Sequence, residues 1–320
     1  MIMSKTLLEY ATWLDGRNLL WGKAPALVPK TATPSLAPLA GIKAVTWELY
    51  GPLLHIAEGK LYQMHPQQLR MKIALEKTME EFNMWNSMYR TKEKGWEYLL
   101  RQYTKVLEEM QLTGTVEIGN FPATDSAKLW RKLIAQLEQK KYTFDENFYG
   151  DVDEFSEKVA YFFHRALQGV EAIPNALEVL QTIGKSGFVQ GLLSCAQPFS
   201  IVQLLQGLAA QGTLPPLPEL FSTDCLTLTF REGIRKPSPE LYQRALQRFS
   251  QQGIEPHEVL HIGTNIQDDL AIARQSGMKT ALFAGNKLSL NVTTENLKDP
   301  KTKPDRLITK LPQLFDVLGI

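Results

Sequence analysis

Two cysteines in 320 residues leave no material for a disulfide framework, and Cys195 and Cys225 lack the close spacing of a zinc-binding pair. Both fall in or beside apolar runs, where they read as buried thiols. An excess of charge of either sign is also missing. The 35 basic and 34 acidic residues leave a formal net charge of +1, which excludes the electrostatic footprint of a nucleic-acid binder. No apolar run reaches the roughly 18 residues that a membrane-spanning helix needs, so no membrane role is expected. Asp15 and Arg17 stand where a secretory leader would carry an apolar stretch and small cleavage residues, and the chain reads as cytoplasmic. The sequon Asn291-Val292-Thr293 is then incidental, because glycosylation needs the secretory route.

What is present is an ordinary globular composition, 44% hydrophobic and 22% charged. Single cores seldom grow past about 250–300 residues, so a chain of this length suits a core with a second module. Leu7, Leu8, Tyr10, Ala11 and Leu14 have helical spacing over residues 4–15. A connector follows that carries Pro25, Pro29, Pro34 and Pro38. Residues 1–41 are therefore expected to form a helix and a proline-rich tether along the core edge. The alternative is an arm that docks a protein partner through Trp13 and Trp21.

From 56 to 172 the pattern is helical almost throughout, with apolar positions such as Leu69, Ile73, Leu75, Met79 and Phe82, then Trp96 to Met110, Ala127 to Leu137 and Phe155 to Leu167. The Met and aromatic residues of this stretch, Met84, Trp85, Met88 and Tyr89 among them, suit helix–helix packing. After Pro174 short apolar runs near 188–193, 219–222, 258–262 and 279–283 alternate with helical segments at 175–184, 198–210, 238–251 and 266–276. That alternation predicts an α/β fold, a Rossmann-like doubly wound parallel sheet built from 42–55 and 173–320, with 56–172 inserted as a helical domain. Ligands of such sheets bind outside the carboxyl ends of the strands. Glu48, Ser194 and the stretch Thr264 to Asp269 all fall at predicted strand ends and should converge on one site.

Four segments then carry a resemblance. Lys43-Ala44-Val45-Thr46-Trp47-Glu48-Leu49-Tyr50-Gly51-Pro52-Leu53-Leu54 is an apolar strand ending in an acid and a glycine turn. Phe188 to Ser194 is an apolar run ending in a hydroxyl, and Lys236-Pro237-Ser238-Pro239-Glu240-Leu241-Tyr242 sets a lysine before a helix. Val259-Leu260-His261-Ile262-Gly263-Thr264-Asn265-Ile266-Gln267-Asp268-Asp269 is a strand running into an acidic loop. In this order and spacing they resemble the four motifs of the haloacid dehalogenase-like hydrolase superfamily. The helical insertion resembles that superfamily's cap, and Asp305 to Leu314 its last strand and closing helix.

The resemblance implies a nucleophilic Asp, an acid–base Asp two residues on, a phosphoryl-binding Ser or Thr, a lysine, and acids that hold Mg2+. Here the nucleophile position is Glu48, whose extra methylene moves the attacking oxygen by about an ångström, a displacement that can cost about a hundredfold in rate. The acid–base position is Tyr50, a phenol of ordinary pKa about 10 and a poor base near neutrality. Pro52 replaces a Thr, and Thr264 stands where the fourth motif opens with an acid. Glu48 with Asp268 or Asp269 then offers at best a weakened Mg2+ site, since that ion needs one or two well-placed carboxylates.

Tyr50 and the Thr264-Asn265-Ile266-Gln267-Asp268 run also resemble the metal-free 2-haloacid dehalogenase branch, in which Asn265 and Asp268 would position water. That branch's halide-binding arginine cannot be assigned, because Arg70 and Arg90 match no motif. Lys236, Ser194 and Tyr242 are intact and suit a small anionic ligand. A plain Lys236–Glu48 ion pair is the bland alternative for the lysine, and amide contacts at a helix start are the bland one for Asp269. Of the five histidines, His261 reads as a strand residue, His164 belongs to a helix, and His55 alone adjoins a candidate loop, where it could replace a lost proton donor. Two readings stay open. One is a superfamily member that has lost aspartyl-phosphate chemistry and acts by binding a ligand or partner. The other is an active hydrolase of a phosphate ester or 2-haloacid that uses Glu48.

Overall fold

The computed structural model describes residues 4–87 and 94–320. Met88, Tyr89 and Arg90, named above, lie outside the described residues. Two compact units result. The first holds the segment ending at Lys23 with Leu61–Gly169 and Gln197–Gln203, and the second holds Ala24–Lys60, Val170–Ala196 and Leu204–Ile320.

The first unit is helical: α1 (Leu7–Asp15), α2 (Gln68–Glu81), α3 (Gly95–Ile118), α4 (Ser126–Glu138), α5 (Glu146–Tyr149) and α6 (Val152–Leu167). Local chemistry starts several of them. Asp125, Asp145 and Asp151 each accept backbone amides of the following turn, and Thr6 with Glu9 forms a capping box for α1. Along α4 the buried Leu129, Trp130, Leu133, Ile134 and Leu137 repeat at helical spacing, which turns one continuous stripe inward. Aromatic edges fill the core, with Phe82 against Phe155 and Phe162, and Trp130 against Tyr103 and Phe163.

Residues up to Lys23 fall in the first unit, and Ala24 onward in the second. Tyr10, Ala11 and Leu14 of α1 are fully buried in the helical core. Trp13 packs on Phe148 and Trp21 on Phe162, so both tryptophans offered as partner anchors are engaged within their own unit. The proline-rich stretch belongs to the second unit, tied by Lys30 N–H to Ala284 O, Ser35 N–H to Leu307 O and Leu39 N–H to Val317 O. Prolines lack a donor, and these contacts use the non-proline amides between them.

The second unit is built on β1 (Ala44–Trp47), β2 (Leu54–Ile56), β3 (Val170–Ala172), β4 (Val189–Ser194), β5 (Leu226–Leu228), β6 (Val259–Gly263), β7 (Lys279–Phe283) and β8 (Arg306–Ile308). Six of these make a parallel sheet in the order β5-β4-β1-β6-β7-β8, while β2 and β3 pair antiparallel where the chain leaves for and returns from the helical insertion. Its helices are α7 (Ala176–Lys185), α8 (Ser200–Ala209, whose first residues fall in the helical unit), α9 (Leu217–Leu220), α10 (Thr229–Glu232), α11 (Pro239–Ser250), α12 (Ala271–Gln275), α13 (Thr294–Lys298) and α14 (Leu314–Leu318).

Alternation along the strands sorts the two faces. Ala44, Leu193 and Val259 cluster with Leu241, Ala245, Phe249 and Ala273 of α11 and α12. On the other face the Trp47 indole donates to Gln190, whose amide reaches the Leu180 carbonyl of α7. This is the doubly wound α/β arrangement expected.

The strand expected near 219–222 is not there. Residues 217–220 form α9, and the strand begins at Leu226. Pro215, Pro216 and Pro218 cannot donate to a sheet ladder, whereas proline suits the first turn of a helix. The reading of both cysteines as buried holds for Cys225 alone, since Cys195 is exposed just past the end of β4.

A Cβ added at Gly191 of β4 would lie 2.5 Å from the Cys225 carbonyl oxygen and 2.9 Å from the Phe249 ring. Gly191→Ala should therefore destabilise the fold by about 1–3 kcal/mol, read from denaturant unfolding. An unchanged midpoint would show that the α11–sheet contact is looser than described.

Candidate functional site

Three strands deliver the site. Glu48 directly follows β1, and its amide donates to the Ile262 carbonyl of β6 at 2.9 Å, which fixes where the loop departs. Ser194 closes β4, and Thr264 follows β6. Gly51, at φ +118°, makes the turn after Glu48, and a Cβ there would come within 2.7 Å of the Thr264 hydroxyl, so the two loops touch. Lys236 comes from the approach to α11 and Tyr242 from the first turns of that helix.

These side chains meet. The Ser194 hydroxyl donates to Glu48 Oε1, which also accepts the Leu49 amide at 3.0 Å. Glu48 Oε2 accepts Lys236 Nζ at 2.6 Å and the Cys195 amide at 3.4 Å. The same ammonium lies 2.6 Å from Asp269 Oδ1, which further accepts the Tyr242 hydroxyl at 2.8 Å and faces His261 Nε2 at 2.8 Å. Lys236, Asp269, Tyr242 and His261 are all buried, and Glu48 nearly so, with 11% of its side chain exposed.

Burial sets the electrostatics. Desolvation alone would lower the Lys236 pKa, but Asp269 and Glu48 outweigh it and hold it above the ordinary lysine value, so the ammonium is permanent. Desolvation would likewise raise that of Asp269, yet His261 and Lys236 hold it well below the carboxylate range. The Tyr242 phenol is pushed up by burial and by Asp269, so it stays protonated and donates.

The remaining candidates lie differently. Tyr50 is buried in the turn, where its backbone bridges to Leu54. Asn265 and Asp268 bond each other, through Nδ2 to Oδ2 at 3.1 Å and back through the Asp268 amide at 3.0 Å. Asp269, not Asp268, thus contributes the carboxylate of the cluster, and its partners are side chains rather than the helix-start amides considered above. Its direction comes from a π-type turn over Ile266–Leu270, where the Leu270 amide reaches back to the Asn265 carbonyl.

Sequence reasoning placed His261 in the strand but not in the site. Counting by two along β6 from Val259, which faces α11, would have put its ring on the Tyr242 side. His55 instead faces Glu171 across β2 and β3 at 3.6 Å. Fully buried His164, in the helical unit, stacks on Phe199, and desolvation pushes its pKa down to about 3.

The donor set does not fit Mg2+. Both Glu48 oxygens and Asp269 Oδ1 already accept protein donors, and an ammonium lies between the two carboxylates. Thr264 offers only a hydroxyl, and among the described residues no group of three or more His, Cys, Asp and Glu side chains is disposed to hold a metal ion.

Known proteins resemble this chain in part of its sequence and in its fold. A HAD-hydrolase-like family model matches residues 233–314. A glyceraldehyde 3-phosphate phosphatase of Pyrococcus furiosus is 27% identical over 146 residues, 46% of this chain and 54% of that protein, so the match spans about half the relative's length. A 2-haloacid dehalogenase of Pseudomonas syringae shares the fold, with TM-score 0.53 and 20% identity over 87% of this chain and 98% of the other. A magnesium-bound HAD-hydrolase of Bacillus subtilis aligns at TM-score 0.44 and 14% identity, over 87% and 99% of the two chains. Over residues 233–314 the chain is therefore similar to HAD-like hydrolases, and it shares its fold with a 2-haloacid dehalogenase. No helix among the described residues is long and apolar enough to cross a membrane.

Breaking a buried ion pair by removing one partner typically costs about 3–5 kcal/mol, so Asp269→Asn should lose stability on that scale. The depressed Asp269 pKa contributes stability that is whole above the ordinary value of 3.8 and is lost as pH falls through the folded value. The gap between wild type and Asp269→Asn in urea unfolding should therefore be widest near neutrality and shrink below pH 3.8. A gap independent of pH would show that Asp269 acts through packing rather than charge.

Proposed function

We propose that this chain keeps the superfamily fold without sustaining an aspartyl-phosphate type of turnover, and acts by binding a ligand or a partner. One observation carries the reading: the Lys236 ammonium neutralises Glu48 and Asp269 together, 2.6 Å from each. A carboxylate held on four donors is a weakened nucleophile, because attack would have to strip contacts that stabilise its charge. The Tyr50 phenol is a poor base for the water that must release an acyl intermediate. Without a fitting cation site, charge building on a transferring phosphoryl group would have Lys236 as its main compensation, and Lys236 is already shared.

A second reading rests on Asn265 and Asp268, an intact polar pair on the loop after β6. They support metal-free hydrolysis of a carbon–halogen bond, with Glu48 attacking carbon and the pair orienting water.

Three assays decide between these readings. Purified protein with Mg2+ should hydrolyse para-nitrophenyl phosphate no faster than Glu48→Gln, and a clear Glu48-dependent rate would defeat the first reading. Restoring Asp at positions 48, 50 and 264 together should create turnover, if those losses alone silence the site. Chloride release from 2-chloropropionate, metal-free and abolished in Glu48→Gln, would establish the second reading.

A further inference from the structure

The contacts of Glu48 form a complete oxyanion cradle. Four donors from three parts of the chain point at its two oxygens: the Ser194 hydroxyl, the Leu49 and Cys195 amides and the Lys236 ammonium. Such a set is what a protein builds for a bound carboxylate or phosphoryl group, with backbone amides and a hydroxyl for direction and one cation for charge. Here the anion is part of the chain. Reach explains it, because Glu48 leaves the β1 end with one methylene more than an aspartate and folds back far enough to accept the amide of the next residue, Leu49.

We propose that Glu48 is the resident ligand of an oxyanion-binding site and keeps that site closed to small carboxylates and phosphoryl groups. The proposal rests on the reading that Glu48 is not a working nucleophile. An incoming anion must compete with a carboxylate tethered at high effective concentration, and it gains no donor that Glu48 does not already use. Removing the side chain beyond Cβ changes this. Lys236 keeps Asp269 as a partner, so its charge stays compensated, while the Ser194 hydroxyl and the Cys195 amide lose their acceptor and the Leu49 amide keeps only Ser194 Oγ at 3.2 Å. The deleted fragment is a methylene bearing a carboxylate, which acetate reproduces. Cys195, whose amide is one of the donors, is exposed at this edge of the cradle.

The test is calorimetric titration of the full chain with acetate and, separately, with inorganic phosphate. Glu48→Ala should bind at least one of them, the one that binds showing which head group the cradle takes. Wild type and Glu48→Gln, whose amide refills the space, should bind at least about 100-fold more weakly, the equivalent of losing two or more charge-assisted contacts. Adding Ser194→Ala to Glu48→Ala should weaken binding about tenfold. Thermal unfolding checks that each variant is folded, and Glu48→Ser repeats the titration on a second background. Folded Glu48→Ala and Glu48→Ser that bind neither anion, or a wild type that binds as tightly as they do, would overturn the proposal. Glu48-dependent hydrolysis by wild type would instead defeat the reading beneath it, a result the titrations alone cannot produce.

Discussion

A single buried ammonium organises the α/β unit's carboxyl-end loops. Lys236 sits between Glu48 from the end of β1 and Asp269 from the turn after β6, so three segments far apart in sequence share one charge balance. Its burial would be costly alone, and the carboxylates would be costlier still. Tyr242 and His261 are drawn into the same account because Asp269 Oδ1 takes all three contacts. The arrangement needs the parallel sheet, since only there do strand ends from distant parts of the chain point to one edge.

Chemistry at that edge turns on one carbon. An aspartate after β1 would be one methylene shorter than the side chain that meets the hydroxyl and amides beside it. Glutamate reaches them, and the nucleophile position becomes an internal anion. Tyr50, Pro52 and Thr264 add no carboxylate to this edge, and Ser194, Lys236 and Tyr242 all take part in the charge-balanced cluster. Intact motif residues therefore do not by themselves argue for catalysis here.

In the helical unit the same lesson holds for packing. Trp13 and Trp21 look like free anchors when the first forty residues are taken as a tether, but they pack edge-to-face against Phe148 and Phe162. The chain's first helix is a structural part of that unit, and its burial of Tyr10, Ala11 and Leu14 answers the apolar spacing that announced it.

Much of the fold was legible in the residues themselves, because periodicity, proline placement and glycine turns act locally. Alternating apolar runs and helices predicted a parallel sheet, and strand-end positions predicted that Glu48, Ser194 and the loop after β6 would meet. The strand misplaced at 219–222 shows the limit of apolarity as a signal where three prolines intervene. Sequence determined which groups are available: a glutamate, a phenol and a threonine at positions where the resemblance implies aspartates. Only tertiary structure decided how they are used. Whether Asp268 or Asp269 enters the cluster depends on one backbone turn, whether His261 is core or site depends on which sheet face it takes, and whether Glu48 is free depends on donors 146 and 188 residues away along the chain. Such through-space charge and hydrogen-bond pairing leaves no local pattern, because the partners come together only after the sheet has formed.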